Sequence, residues 1–319
     1  MGAGKRYQAD SFCAEAVTKQ EHWNHPYLFL GGLLDFPQFV QIPLGEWISR
    51  FVDWLVAGYG DSLRAVTDQL AFYLYRFESF FRELPWPVTI LLIGVLGWHA
   101  HRKIRMGIVL AACMLLIGAF GLWDKAMQTL SLMVVSTLIS VIIAIPLGII
   151  MSRSDRVRMV FLPFLDAMQT MPSFVYLIPA LMLLGLGKVP AIFATVIYAV
   201  SPTIRLTDLG IRMVDQEVVE AAESFGAAPR EVLFGVQLPL ALPSIMAGVN
   251  QTTMMALAMV VIASMIGASG LGEEVLLGIQ RLDVGRGTEA GVAIVALAVV
   301  LDRITQGYGD RARKNIGVS

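Results

Sequence analysis

The fold class this sequence predicts is an all-α integral membrane protein, and three observations predict it. Hydrophobic residues make up 56% of the 319 and charged residues only 15%, with a mean hydropathy of +0.67. A soluble domain carries about 25% charged residues. From Trp86 onward, long apolar runs recur, and about 20 such residues cross a bilayer as a helix. Lysine and arginine crowd into alternate connections between those runs, an asymmetry that sets orientation in a membrane.

Residues 1–41 are a polar N-terminal tail, and no apolar leader run occurs in the first 25. Over 42–56, Glu46, Ser49, Arg50 and Asp53 recur at helical spacing. Trp47, Ile48, Phe51, Val52 and Leu55 fall on the other side. Such a helix lies in a membrane interface or packs as a small helical domain on the membrane part. Residues 62–83 repeat the pattern, with Arg64, Asp68 and Arg76 among aromatics. The segment 42–84 therefore reads as amphipathic interfacial helices.

About seven spans follow, near 86–100, 107–123, 126–151, 158–186, 189–206, 240–266 and 288–306. The first two make up a segment 85–123, and the rest fall within a core at 124–307. The fourth run is long and contains Pro163, Pro172 and Pro179. It is either kinked or a surface helix followed by a span; proline is tolerated where neighbours re-satisfy the backbone. One set of connections holds Arg102, Lys103, Arg105, Arg153, Arg156, Arg158, Arg205, Arg212, Arg230, Arg303, Arg311, Arg313 and Lys314, thirteen in all. The opposite set holds four: Lys125, Lys188, Arg281 and Arg286. The richer set faces the cytoplasm, which puts the N-terminus outside and a tail at 308–319 inside.

Several function classes are excluded. A net charge of -1 leaves no nucleic-acid footprint. Cys13 and Cys113 sit in a polar tail and an apolar run, so no disulfide framework or metal site is expected. No GxxxxGK[ST] occurs; in "MGAGKRY" Arg6 stands where the hydroxyl residue belongs. His99 and His101 do not share a helix face and read as interface residues. His22 and His25 have a ligand spacing but no supporting pattern. Glu273 and Glu274 read as a solvated helix start. A carrier working alone on an ion gradient needs buried ionisable residues in several spans, and few are present.

One stretch breaks the apolar pattern: "EVVEAAESFGAAPREVLFGVQLP", residues 217–239. Asp215 is a good N-cap, with Glu217 in the first turn. Val218, Val219, Ala222 and Phe225 form one face, and Gln216, Glu220 and Glu223 the other. Gly226 suits the left-handed position that ends a helix, and Pro229 the first position of the next. The second helix runs to Pro239. Two short helices thus meet at a glycine bend on the cytoplasmic side.

The spacing Glu220-Ala221-Ala222, three residues, Gly226, nine residues, Val236, one residue, Leu238-Pro239 resembles the "EAA" loop of ABC importer permeases. "LDAMQTMPSFVYLIP" (165–179), the run 236–272 and "LDRITQ" (301–306) are similar to the permease subunit of glycine betaine/proline betaine importers. The likeness runs from about 42 to 307. It implies an importer permease (MetI-like) core at 124–307 in the inner membrane, with a coupling loop at 208–239. In that family the loop docks in a groove of a separate ATPase, here through Glu220, Ala221, Ala222, Glu223, Gly226 and Pro239. ATP and Mg then belong to two cytoplasmic ATPase subunits, and this chain holds no cofactor and performs no catalysis. A second copy of the chain, an extracytoplasmic substrate-binding protein and membrane lipid are the other implied partners. The branch also carries choline, carnitine, trimethylamine N-oxide and some amino acids.

Polar residues within spans are path candidates. Gln169 lies near Pro172, and Asn250 and Gln251 lie together in the sixth span. Such groups serve either the path or bonds between helices. Phe174, Tyr176 and Tyr198 face either a passing quaternary ammonium, which aromatic rings attract, or the core. Met254 supplies adaptable packing or path lining. The glycines of "GASGLG" (267–272) permit a sharp outer turn, as a gate or as a plain loop.

Overall fold

The computed structural model describes residues 43–315, and among them no strand occurs. The chain divides into two units, Met1–Phe51 and Val52–Ser319. The expectations for Cys13, His22, His25 and the tail up to residue 42 lie outside the described residues. In the first unit, Glu46 and Arg50 pair one helical turn apart at 3.1 Å.

Helix α1 (Leu44–Glu83) is unbroken where two helices were expected. A helical glycine costs only about 1 kcal/mol, so Gly58 and Gly60 do not interrupt a pattern that is amphipathic on both sides of them. In the second unit, Arg64–Glu83 meets α2 (Trp86–His101) at 95° across Pro85. Helix α3 (Ile104–Ala119) returns beside α2. A Cβ on Gly107 would stand 2.5 Å from the Gly94 carbonyl oxygen, and one on Gly97 would stand 2.6 Å from Leu110 Cδ1. The hairpin therefore closes backbone to backbone.

Next come α4 (Trp123–Arg153), α5 (Asp155–Thr170), α6 (Ser173–Leu184) and α7 (Lys188–Arg212). The long fourth run resolves into α5 and α6, bent by 99°. The cause is Pro172, which forces the preceding residue out of the helical region; Met171 sits at φ -68, ψ 136. Helix α8 (Gln216–Ser224) and α9 (Pro229–Ile266) follow, then α10 (Leu271–Gln280) and α11 (Val284–Asn315).

By length and composition α4, α7, α9 and α11 are each able to cross a membrane, and the count rises to six if each bent pair is one span. Helices α2 and α3 have 16 residues each. At 1.5 Å per residue each covers about 24 Å, short of the roughly 30 Å hydrocarbon core. Every expected apolar run falls on one of these helices or bent pairs.

Helix α7 is the pillar of the unit. Of its most apolar window 67% is buried, against 28% in α4, α9 and α11. Three glycines let neighbours approach. A Cβ on Gly148 of α4 would meet Thr207 Cβ at 2.5 Å; on Gly248 of α9, Thr203 Cα at 2.9 Å; on Gly210 of α7 itself, Ser244 Cβ at 2.7 Å. The main core joins α2–α4, α6, α7, α9 and α11 through residues such as Met114, Met127, Tyr176, Ala199, Met259 and Leu297.

Charged side chains collect at the two ends of the helices. One end pairs Lys188 with Glu78, Arg82 with Asp124 (2.6 Å), Lys125 with Glu273 (2.6 Å) and Arg286 with Glu274 (2.6 Å). The other pairs Arg158 and Arg212 with Asp208, both at 3.0 Å. Glu274 is thus buried and paired, not the solvated helix start its loop position suggests.

Candidate functional site

The turn between α7 and α9 is built from local capping chemistry. The Asp215 carboxylate accepts from the Glu217 N–H at 3.0 Å and starts α8. The helix closes in a Schellman arrangement: Ala227 N–H donates to Ala222 C=O (3.1 Å) and Gly226 N–H to Glu223 C=O (2.9 Å). Gly226 sits at φ +86, with open space where a Cβ would be. Pro229 opens α9, and Glu231 accepts from the Ala228 N–H at 2.8 Å.

Beneath the turn, Val214, Val219 and Val232 form a small buried cluster with Ala222, Ala227 and Leu240 packed on it. The expected apolar face of α8 is therefore divided. Val219 and Ala222 point in, while Val218 is exposed and Phe225 is 93% exposed. Glu220, Ala221, Glu223, Gly226 and Pro239 are exposed too, and Ala222 is half-buried.

Pro239 does not end a short helix, as expected. It lies inside α9, just after a π-turn at Leu233–Gln237 in which Leu238 N–H reaches back to Leu233 C=O. Proline lacks an N–H and crowds the carbonyl four residues earlier. The widened turn ahead of it lets the helix pass through.

One arginine pins the turn to α4, and a charge network braces the helix ends beside it. Arg153 at the end of α4 donates to the Pro229 carbonyl at 2.9 Å. Asp208 on α7 is buried and accepts from Arg158 and Arg212, both at 3.0 Å. Arg212 also pairs with Asp155 at 2.7 Å and donates to the Met151 carbonyl at 3.0 Å. Sequence reasoning overlooked Asp208. Its signal was an acid inside an apolar run with an arginine one helical turn later.

The path candidates separate into two groups. Tyr176 and Tyr198 come together, their rings edge to face at 5.8 Å. Tyr176 is buried and its hydroxyl donates to the Met168 carbonyl. Asn250 is a helix clamp: its amide donates to Asp302 at 3.2 Å and its oxygen accepts from Thr305. Thr252 likewise bonds the Ala199 carbonyl (2.7 Å) and Thr203 (2.8 Å). Gln169, Phe174 and Gln251 are exposed, and Tyr198 and Met254 half-buried. These are the candidates left open to a path or to a second copy.

The "GASGLG" turn is tightly packed. Gly267 and Gly270 sit at φ +87 and +156, and Leu271 N–H donates to Thr129 Oγ1 at 2.8 Å. A Cβ on Gly270 would meet that oxygen at 2.6 Å, so the turn needs glycine there.

Against known families, residues 141–314 match the "Binding-protein-dependent transport system inner membrane component". The chain is 44% identical over 305 residues to the glycine betaine/proline betaine transport system permease protein ProW of Escherichia coli K12, covering 96% of this chain and 84% of that protein. It is 45% identical over 280 residues to the glycine betaine/carnitine transport permease protein GbuB of Listeria monocytogenes, covering 87% and 99%. Among solved structures, an inward-facing MetNI methionine ABC transporter chain matches with a TM-score of 0.52 at 20% identity, over 61% of this chain and 95% of that one.

Proposed function

Since the chain belongs to the family of binding-protein-dependent transport system inner membrane components, we propose that it is the permease subunit of an ATP-driven importer of glycine betaine or a related methylated amine. The observation that carries the coupling role is the turn at 215–239. Its underside is packed and pinned by Arg153, while Glu220, Ala221, Glu223, Gly226 and Phe225 are left uncovered. Two copies of the chain form the path, and a cytoplasmic ATPase receives the turn of each. ATP and Mg act there, on a separate chain. An extracytoplasmic binding protein delivers the solute.

The orientation follows from charge. The end that carries the turn also carries the thirteen lysines and arginines, so it faces the cytoplasm and the N-terminus lies outside. The four outward cations are largely neutralised; Lys125, Lys188 and Arg286 each pair with a glutamate.

Closure of the ATPases draws the two turns together. Because Arg153 ties each turn to α4, and Asp208 and Arg212 tie α7 to α4 and α5, the movement reaches the helices and turns the path outward. Hydrolysis resets it. Gln169, Phe174, Tyr198, Gln251 and Met254 line the path, with Tyr176 bracing Tyr198. An aromatic edge suits a quaternary ammonium without holding it tightly. Glycine betaine is the cargo that the names of both relatives support, and carnitine is a further candidate from one of them.

The test is uptake of labelled glycine betaine into vesicles carrying the chain, its ATPase and its binding protein. Uptake driven by internal ATP, with unlabelled choline, carnitine and trimethylamine N-oxide as weaker competitors, is expected. Uptake on an ion gradient alone would overturn the reading.

A further inference from the structure

The short hairpin α2–α3 holds none of the residues placed in the turn or along the path, yet it carries an apolar groove. The groove encloses about 500 Å³ and is lined by apolar side chains alone. Trp86, Leu91, Val95, Trp98, Ile108 and Leu115 lie along it, each 46–67% exposed. The opposite face of the hairpin, through Gly97, Leu110, Met114 and Ile117, is buried. The groove is thus an outward-facing trough in a region that meets lipid.

Its two ends differ in charge. At one mouth, near Trp86 and Trp123, the neighbouring cations are spent: Arg82 pairs with Asp124 at 2.6 Å and Lys125 with Glu273 at 2.6 Å. At the other, past Trp98 and Ile104, the hairpin turns through Arg102, Lys103 and Arg105. All three are exposed, and among the described residues none has an ion pair. From Leu91 to Arg102 is about 16 Å of helix, the depth of one leaflet of a roughly 30 Å core.

We propose that this groove seats one anionic phospholipid, its acyl chain along Leu91, Val95 and Ile108 and its phosphate on Arg102, Lys103 and Arg105. Basic pockets beside membrane helices hold acidic headgroups in this way. A helix of a second copy would fill the trough but leave three cations uncompensated, so lipid is the better occupant. The short hairpin adds a reason. Spans of about 24 Å thin the bilayer around them, and a bound lipid whose headgroup sits at the turn fixes where that thinning occurs. The proposal does not depend on which solute is carried.

The test is native mass spectrometry of the detergent-purified chain, with phosphatidylglycerol or phosphatidylcholine of matched acyl chains. One phosphatidylglycerol per chain is expected to survive activation that strips phosphatidylcholine. The double variant Lys103→Gln/Arg105→Gln should weaken phosphatidylglycerol retention at least about tenfold, since each surface cation is worth roughly a factor of five toward anionic lipid. Ala111→Phe, which fills the groove, should lower retention of both lipids; Ile108→Trp does the same from an exposed position if the first variant misfolds. Equal retention of the two lipids would overturn the proposal. So would a preference that survives the double variant, retention unchanged by both groove variants, or a photo-crosslinker at Leu91 that captures a second copy instead of lipid.

Discussion

The turn at 215–239 and the helix interior behind it are built by opposite rules. At 215–239 the caps come from residues within a few positions of each other: the Asp215 cap, the Gly226 closure and the Glu231 bond to Ala228. The chemistry that would meet a partner is left facing out. In the interior, polar groups are satisfied by residues about 50 positions away, as Asn250 is by Asp302 and Thr252 by Ala199 and Thr203. Local features advertise themselves in a sequence. Long-range ones hide, because a polar residue in an apolar run looks the same whether it holds a helix or a solute.

The largest effect that would break this contrast belongs to Gly226. With φ at +86 and open space around it, a side chain there meets nothing within the chain. Asn and Asp both tolerate that backbone region better than other residues. Gly226→Asn should therefore keep the turn and most of the coupling. Gly226→Asp adds an uncompensated charge to a desolvated contact, which costs several kcal/mol. Copurification of the ATPase should be lost and uptake should fall by roughly two orders of magnitude. Normal copurification with Gly226→Asp would mean that the turn docks elsewhere or not at all.

Second in size is Asp208, where the local and long-range rules meet. It is buried and holds Arg158 and Arg212. The arginines it leaves behind are about a third exposed and regain some hydration, so Asp208→Ala should cost about 1–3 kcal/mol and lower the melting temperature of the purified chain. Asp208→Asn should cost less, because an amide oxygen still accepts from one arginine. If both variants melt like the parent, the network does not hold α5 to α7.

The fold class was legible because hydropathy and the lysine–arginine asymmetry are sums over many residues, and such sums survive local error. The bend between α5 and α6 was half legible. Pro172 announced a break, but only packing decides between a kink and the 99° turn observed. The joining of 42–56 and 62–83 into one helix was not legible, since two amphipathic patterns look the same whether the residues between them bend or continue, and Gly58 and Gly60 carry too little energy to break the helix. Pro239 misled for a related reason. It looked like a terminator, and the π-turn at Leu233–Gln237 carries the helix past it. Of the site, the caps at Asp215, Gly226 and Pro229 were readable, whereas the fate of Glu274 depended on Arg286 and Lys125 arriving from other helices.

The smallest expected effect separates two neighbours that the sequence makes look alike. Asn250 and Gln251 are adjacent amides in one helix, about 100° apart around it. Asn250 faces α11 and is tied to Asp302 and Thr305. Gln251 is exposed. Asn250→Ala leaves the partly buried Asp302 without one of its donors, a loss of about 1–3 kcal/mol, so thermal stability should fall and transport should follow it. Gln251→Ala removes no such bond, and stability should stay within about 0.5 kcal/mol. A change in the transport KM with unchanged melting would place Gln251 on the path. Unchanged transport would leave its helix face to lipid or to the second copy, and the path would then run along α6 and Tyr198 instead.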